Sequence, residues 1–462
     1  MTTTVWWIRR DLRLRDNPAL LAACAGGCVL PVFVLDRGIL DGRLHRHATR
    51  RRAFLFDGLR VLDTDLQALG SRLFVLAGRP LEVLREVLAV SGARAIHAAE
   101  DFSPYARQRD AAIARELPLQ LHPGLTVHHP GQVLSKQNAP YTIFTPFYRA
   151  WRALGSPGIP CPAPKWLPLP AICLRAEPLP VALGNPDFPA GEAEALRRMD
   201  SFLAGPVSAY ALQRDVPAVA GTSTLSPYLR FGMVSPRTAA HQVTALGEGS
   251  GAETWLKELV WREFYLSVIY HFPRVMQGAF NPRLRAVRWR DAPADLAAWQ
   301  QGRTGYPIVD AFMRQLLATG WMHNRGRMIV ASFLSKDLLL DWRHGEQWFM
   351  DHLLDGDPAA NNGGWQWAAG VGTDAAPYFR IFNPVLQGGK FDPHGTFIRQ
   401  YVPELVEVPL RYLQQPWTMP PLEQALCGVE LGQAYPRPIV EHAMVKPRTL
   451  EAYKASQAAY GD

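Results

Sequence analysis

The stretch "TVWWIRRDLRLRDNPAL", from Thr4 to Leu20, decides how the first third of the chain is read. A short apolar, β-rich run is cut off at once by arginines, the pattern of a buried strand that ends where a loop begins. Three more such runs follow, "CVLPVFVL", "RLFVLAG" and "ARAIHAAE", separated by helical stretches such as "RRAFLFDGLRVLDTDLQAL" and "PLEVLREVLAV". Strands alternating with helices imply a doubly wound parallel sheet, an α/β domain assigned here to residues 1–130. No GxGxxG follows the first strand, so the usual dinucleotide fingerprint is missing and a cofactor in this domain needs another pocket.

Beyond this domain the signals change twice. Repeated prolines from Pro157 to Pro189 rule out regular helix or central strand, which gives a linker over 131–191. From Glu192 the strand pattern disappears. Long helical periods replace it in "AHQVTALGEG", "ETWLKELVWREFYLSVIYHF", "GYPIVDAFMRQLLATG" and "RGRMIVASFLSKDLLLDW", so residues 192–462 are read as an all-α domain.

Bulk properties exclude several classes. A chain of 462 residues with 48% hydrophobic and 19% charged residues is globular and too long for one ordinary core. No apolar segment is long enough to span a bilayer, so no membrane partner is expected and the location is read as cytoplasmic. The net charge of +8 favours a polyanionic partner. Cys24, Cys28, Cys161, Cys173 and Cys427 are odd in number and form no CxxC pair, while His45, His47, His128 and His129 lack a second ligand pair, so neither a disulfide framework nor a metal site is expected.

Chemistry-bearing residues gather in four places. The run "DGDPAANNGGWQWAAG", Asp355 to Gly370, combines two carboxylates, two asparagines, a glycine pair and two indoles, far more polarity than a core helix needs. The helix "WLKELVWREFYLSVIY" brings Glu258, Trp261, Arg262 and Tyr265 onto one face, although Glu258 and Arg262 at i,i+4 also suit a plain surface ion pair. Thr222, Ser223, Thr224 and Ser226 in "GTSTLSPYLRFG" collect hydroxyls at a helix start, which serves either phosphate binding or simple capping. In "GWMHNRGRM", Gly320 and Asn324 read as cap residues, and Arg327, within an apolar helix, needs a carboxylate such as Asp355 or Asp357.

Together, "WIRRDLRLRDNPAL", "GTSTLSPYLRFG", "ELVWREFY", "TGYPIVDAFMRQLLATGWMHNRGRM" and "DGDPAANNGGWQWAAGVGTDAAPYFRIFNP" resemble the photolyase/cryptochrome family over almost the whole chain. Within it they look most like the bacterial class I members that repair cyclobutane pyrimidine dimers. The resemblance implies light-driven repair in which excited reduced FAD passes one electron to a flipped-out dimer and receives it back, a carbon–carbon lyase reaction. It also implies that the helical domain holds the FAD and that the protein is a monomer acting on DNA containing pyrimidine dimers.

Matched position by position, the resemblance assigns the FAD contacts to Tyr210, Thr222, Ser223, Thr224, Leu225, Ser226, Trp255, Arg327, Asp355, Gly356, Asp357 and Asn361, with the Asn361 amide at flavin N5. Trp365, Trp342 and Trp289 match the indoles that carry an electron inward to reduce the flavin. Trp261 and Trp367 match the walls around the lesion, Glu258 and Asn324 its hydrogen-bond partners, and Met328 an apolar contact. Glu258 is further expected to offset charge developing on a pyrimidine carbonyl. Arg214, Arg262, Arg325, Gln387 and Lys390 are expected at the phosphodiester backbone. Ala106 stands where folate-binding relatives are expected to have glutamate, so an antenna of the 8-hydroxy-5-deazaflavin type, contacted by Arg51 and Asp101, is preferred to methenyltetrahydrofolate or to none.

A cryptochrome-type photoreceptor without repair shares this fold and FAD. Against it stand Asn361, Trp367 and a sequence ending at Asp462 without a long tail. Repair of (6-4) products is disfavoured because no paired histidines mark the lesion pocket, and a light-independent flavin oxidoreductase because no nicotinamide motif is present.

Overall fold

In the computed structural model, residues 2–40, 42, 47–247 and 249–460 are described; His45 and Asp462 lie outside them. Five strands, β1 (Thr2–Ile8), β2 (Gly27–Asp36), β3 (Phe74–Gly78), β4 (Ile96–Ala99) and β5 (Leu119–His122), form one sheet in the order β3-β2-β1-β4-β5. All neighbours are parallel, with Val5 opposite both Leu30 and Ile96. The order reverses at β1, so the carboxyl ends of β1 and β4 flank the crevice that doubly wound sheets use for ligands. The sequence reading named four strands. It missed β5, whose four residues, Leu119–His122, alternate apolar with polar and are nowhere fully buried.

Helices Pro18–Cys24, Thr49–Ala68, Pro80–Ser91 and Pro104–Ala114 connect the strands. The first starts where "RDNP" predicts a start: Asn17 accepts from the Leu20 N–H at 3.1 Å and Pro18 follows in the first turn. Val5, Trp7, Leu30, Val32, Phe74 and Ile96 form the heart of the core beneath. No helix or strand occurs between Ala153 and Glu192, the proline-rich stretch.

The chain divides into two compact units that cut across the boundaries expected from the sequence. The first comprises 1–211, 222–273 and 354–359, and the second comprises 212–221, 274–353 and 360–462. Polar ties explain why helices after 192 join the sheet. Glu192 accepts from the Leu14 and Arg15 N–H groups, and Arg237 pairs with the buried Asp16. The second unit is helical among its described residues and is built around Trp299, Phe312, Trp342, Phe349 and Trp365. The single helix expected over "RGRMIVASFLSKDLLLDW" is broken. Helix Asn324–Ser332 runs into a π-helical turn, Phe333–Asp337, Leu339 takes φ +52°, and a new helix, Trp342–His352, starts with Asp341 capping Arg343.

Candidate functional site

In the first unit, charge collects where the strand order reverses. Arg9 and Arg10 leave the end of β1, and Asp101 leaves the end of β4. Arg9 pairs with Asp110 at 2.6 Å and lies over the Trp7 ring, while Arg10 pairs with Asp101 at 3.5 Å and with Asp357. Arg230 approaches Asp357 at 3.8 Å and donates to the Gly356 carbonyl at 2.9 Å. Burial raises the Asp101 carboxyl, but Arg10, the Ser103 N–H, Arg9 and Arg109 outweigh it and hold it at about 2. Burial, reinforced by Arg10, pulls Arg230 down to about 9. Arg51 is buried in the same unit, and both it and Asp101 lie within electrostatic reach of Arg230. The acid at 357 therefore draws Arg10 and Arg230, neither singled out from sequence.

The hydroxyl-rich loop sits beside the helix Ser250–His271 of the same unit. Trp255 donates to Ser223 Oγ at 3.3 Å, and Arg198 donates to Thr224 Oγ1 at 2.9 Å. Thr224 has φ +51°, and Leu225, with no side-chain cap, precedes the short helix Ser226–Phe231. The cap position of that helix falls on Leu225, which carries no hydroxyl. Tyr210 and Trp255 pack on opposite terms against Phe202, one edge-on at 5.6 Å and one tilted at 5.2 Å.

Along the helix Ser250–His271 the expected face divides in two. Trp261 is half-buried and stacks on Phe144 with ring centres 3.8 Å apart and planes within 6°. Arg262 departs from its expected place at phosphates: its guanidinium donates to the Leu125 carbonyl at 2.8 Å and the Leu229 carbonyl at 3.4 Å, and burial lowers it to about 10. It ties backbone segments together inside the unit. Next to it Glu263 is buried and accepts from the Val127 N–H and from Trp151 Nε1 at 2.7 Å. Glu263 and Phe144 are not among the residues that the sequence singles out; an acid on a largely apolar helix is the signal for the first.

In the second unit, three residues expected at DNA come together. Arg325 makes a two-point contact with Asp215 at 3.2 and 2.7 Å, Arg214 approaches the same carboxylate at 3.9 Å, and Arg325 and Lys390 both lie over the Phe391 ring. Gln387 is on the same helix, Pro384–Phe391. Gly320 caps the preceding helix as expected, with φ +73°, but the cap of Asn324–Ser332 is His323, which accepts from the Arg325 N–H at 3.2 Å. Asn324 is thereby left exposed at the helix start. Arg327 is only half-buried and donates to the Met322 carbonyl at 2.9 Å; Met328 beside it is also half-buried.

Helix Pro358–Ala369 carries the amides and indoles. Asn361 donates to the Glu346 carbonyl at 2.9 Å, Asn362 to the Glu346 carboxylate at 2.9 Å, and Gln366 to Asn362 at 3.0 Å. Trp365 is 2% exposed and meets Trp299 and Phe349 edge-on at 6.0 and 5.0 Å. Its indole N–H has no hydrogen-bond partner among the described residues. Trp342 is buried in the same core, Trp289 packs against it and meets Tyr453 edge-on at 6.0 Å, and Trp367 is half-buried at its margin. Buried amides, an orphan indole N–H and an aromatic core suit a flat heteroaromatic group with a polar edge.

Comparison with known proteins agrees with that chemistry. Residues 4–165 match the sequence model described as DNA photolyase, and residues 255–455 match the FAD-binding domain of DNA photolyase. Over 482 residues, 99% of each chain, the protein is 44% identical to the deoxyribodipyrimidine photo-lyase of Salmonella typhimurium. The chain belongs to the DNA photolyase family. Among solved structures, this photolyase-family chain resembles a bacterial class III photolyase from Agrobacterium tumefaciens with TM-score 0.93 and 39% identity, covering 99% of this chain and 98% of that one. It resembles a cryptochrome from Synechocystis with TM-score 0.89 and 30% identity, covering 98% and 99%. The family's helical portion is an FAD-binding domain, and among the described residues of this photolyase relative no helix is long and apolar enough to cross a membrane.

Proposed function

We propose that the protein repairs cyclobutane pyrimidine dimers in DNA by light-driven electron transfer. The observation that carries the reading is the full-length similarity to an enzyme named for that reaction. Held in its reduced form by this chain, FAD would be the light-absorbing one-electron donor and acceptor of the repair. The chain's own residues bind, orient and exclude water. Tyr210, Thr222 to Ser226 and Trp255 would hold the phosphates and ribityl chain, and Arg327, Asp355, Gly356, Asp357 and Asn361 the polar edge of the ring. Trp289, Trp342 and Trp365 would carry the electron that reduces the flavin, in a core where the last indole N–H has no hydrogen-bond partner among the described residues.

Base flipping by photolyases is a general property of such enzymes, and the flipped dimer would lie against Trp261 and Trp367, with Glu258 and Asn324 at its polar edges and Met328 beside it. Arg214, Arg325, Gln387 and Lys390 would hold phosphates. What supports this is the clustering of Arg214, Arg325 and Lys390 around Asp215 and Phe391. Arg51 and Asp101, near the strand-order reversal, are the proposed contacts for a deazaflavin-type antenna. The chain is proposed to act as a cytoplasmic monomer.

The test is repair of defined lesions by the FAD-loaded, reduced protein. Cyclobutane dimers should be repaired in light and not in darkness, and (6-4) products should remain. A protein that binds FAD and repairs neither lesion would instead fit a photoreceptor, the reading that the lower-identity cryptochrome neighbour represents.

A further inference from the structure

The indole of Trp261 does not stand alone. Phe144, the first residue of helix Phe144–Ala153, lies flat on one of its faces with a centroid separation of 3.8 Å and an angle of 6°. Aromatic pairs usually settle offset or edge-on with centres about 4.5–7 Å apart, so a near-parallel pair this close is imposed by its surroundings. Those surroundings are aromatic too. Phe264 meets both rings edge-on, Phe144 at 6.0 Å and 79° and Trp261 at 5.5 Å and 84°. Tyr265 leans on Trp261 at 5.6 Å, and Tyr148 is stacked on Phe144 at 5.9 Å. Tyr148 is itself fixed, since its hydroxyl donates to Glu253, which also pairs with Arg152 and Lys257. Phe144 is 8% exposed and Trp261 half-buried, so solvent access falls on the indole rather than on its backing ring.

We infer that Phe144 is a positioning residue for dimer recognition: it occupies one face of Trp261, fixes the plane of the indole, and leaves the opposite face as the surface on which a pyrimidine stacks. The inference rests on the proposed repair function and goes beyond it, because Phe144 touches no lesion. Stacking is sensitive to the angle between planes, and an indole already held in one plane loses less freedom on binding. Phe144 therefore acts on affinity for the flipped lesion. Undamaged duplex, whose bases stay inside the helix, never meets the surface that Phe144 orients.

The experiment uses the full-length, FAD-loaded, reduced protein and two duplexes identical except for one cyclobutane dimer. Phe144→Leu keeps an apolar group but removes the flat backing, and Phe144→Tyr keeps the ring. For Phe144→Leu, Kd for the dimer duplex should rise roughly three- to tenfold, the range of an aromatic pair's contribution. Its Kd for undamaged duplex and its repair per absorbed photon once the dimer is bound should match the parent. Phe144→Tyr should restore the parental Kd for the dimer. The inference is overturned if Phe144→Leu binds the dimer as tightly as the parent, or if affinity for both duplexes falls together. It is also overturned if Phe144→Tyr is as weak as Phe144→Leu. A parent that shows no preference for the dimer refutes the proposed function first and this inference with it, so the two failures are told apart by the parent alone.

Discussion

Trp261 and Trp365 are the same side chain in opposite settings. Trp261, in the first unit, is half-buried, parallel to Phe144, and one residue from Arg262 and two from Glu263, whose polar groups hold backbone segments. Trp365, in the second unit, is enclosed, has edge-on rings at 6.0 and 5.0 Å, and leaves its N–H without a partner among the described residues. Gly345 lets it lie that close to the helix Trp342–His352, since a Cβ there would come within 2.0 Å of the indole. A parallel backing fixes the plane of an indole, which suits the stacking surface proposed for Trp261. Enclosure by edges keeps water away from the indole, as a relay for an electron requires.

Exchanging their roles by mutation tests the contrast. The largest effect is expected for Trp365→Phe: light-driven reduction of oxidised FAD should be lost, while chemically reduced protein still binds and repairs dimers. Absorbance of the flavin under illumination reads the first and a repair assay the second; loss of both together would make Trp365 a packing residue only. Trp261→Ala should do the reverse. Photoreduction should persist, and dimer affinity should fall by roughly 1–3 kcal/mol, the contribution of a base–aromatic stack. If the Trp261 variant also loses photoreduction, the two indoles do not divide the work.

The sequence made the architecture readable because periodicity and breakers are local signals. "TVWWIRR" and its successors gave the parallel sheet, and the prolines gave the stretch without regular structure. What it could not give were pairings between distant segments. Phe144 and Trp261, Asp357 and Arg10, and Arg325 and Asp215 are each separated by more than a hundred residues, and nothing in local pattern links them. The same limit explains Arg262, whose spacing from Glu258 suggests a surface face although its partners are carbonyls of Leu125 and Leu229. It also explains the unit boundaries, which follow such ties rather than chain order. The cap of Asn324–Ser332 lies one residue before the expected Asn324, because His323, an uncommon cap, offers a ring nitrogen where asparagine offers an oxygen.

The smallest effect on repair is expected from a change that separates the two regions by pH. Glu263, on the helix that carries Trp261, is pushed up to about 7 by burial, against the opposing hydrogen bonds from the Val127 N–H and Trp151. In the unfolded chain the same carboxyl titrates near roughly 4.3. Between those values the folded protein holds a proton that the unfolded chain has released. Rising pH therefore favours unfolding: this group's stabilising contribution is complete below about 4.3 and is lost as pH climbs to about 7. Glu263→Gln keeps the shape and an acceptor oxygen but has no proton to lose. Its free energy of unfolding, from urea titrations across this range, should fall less with pH than the parent's, by at most roughly 1.4 kcal/mol for each pH unit crossed. Parallel curves for parent and variant would remove Glu263 as the titrating group. Photoreduction through Trp365 provides the internal control, because the enclosed indole makes no hydrogen bond among the described residues and should respond equally in parent and variant at every pH.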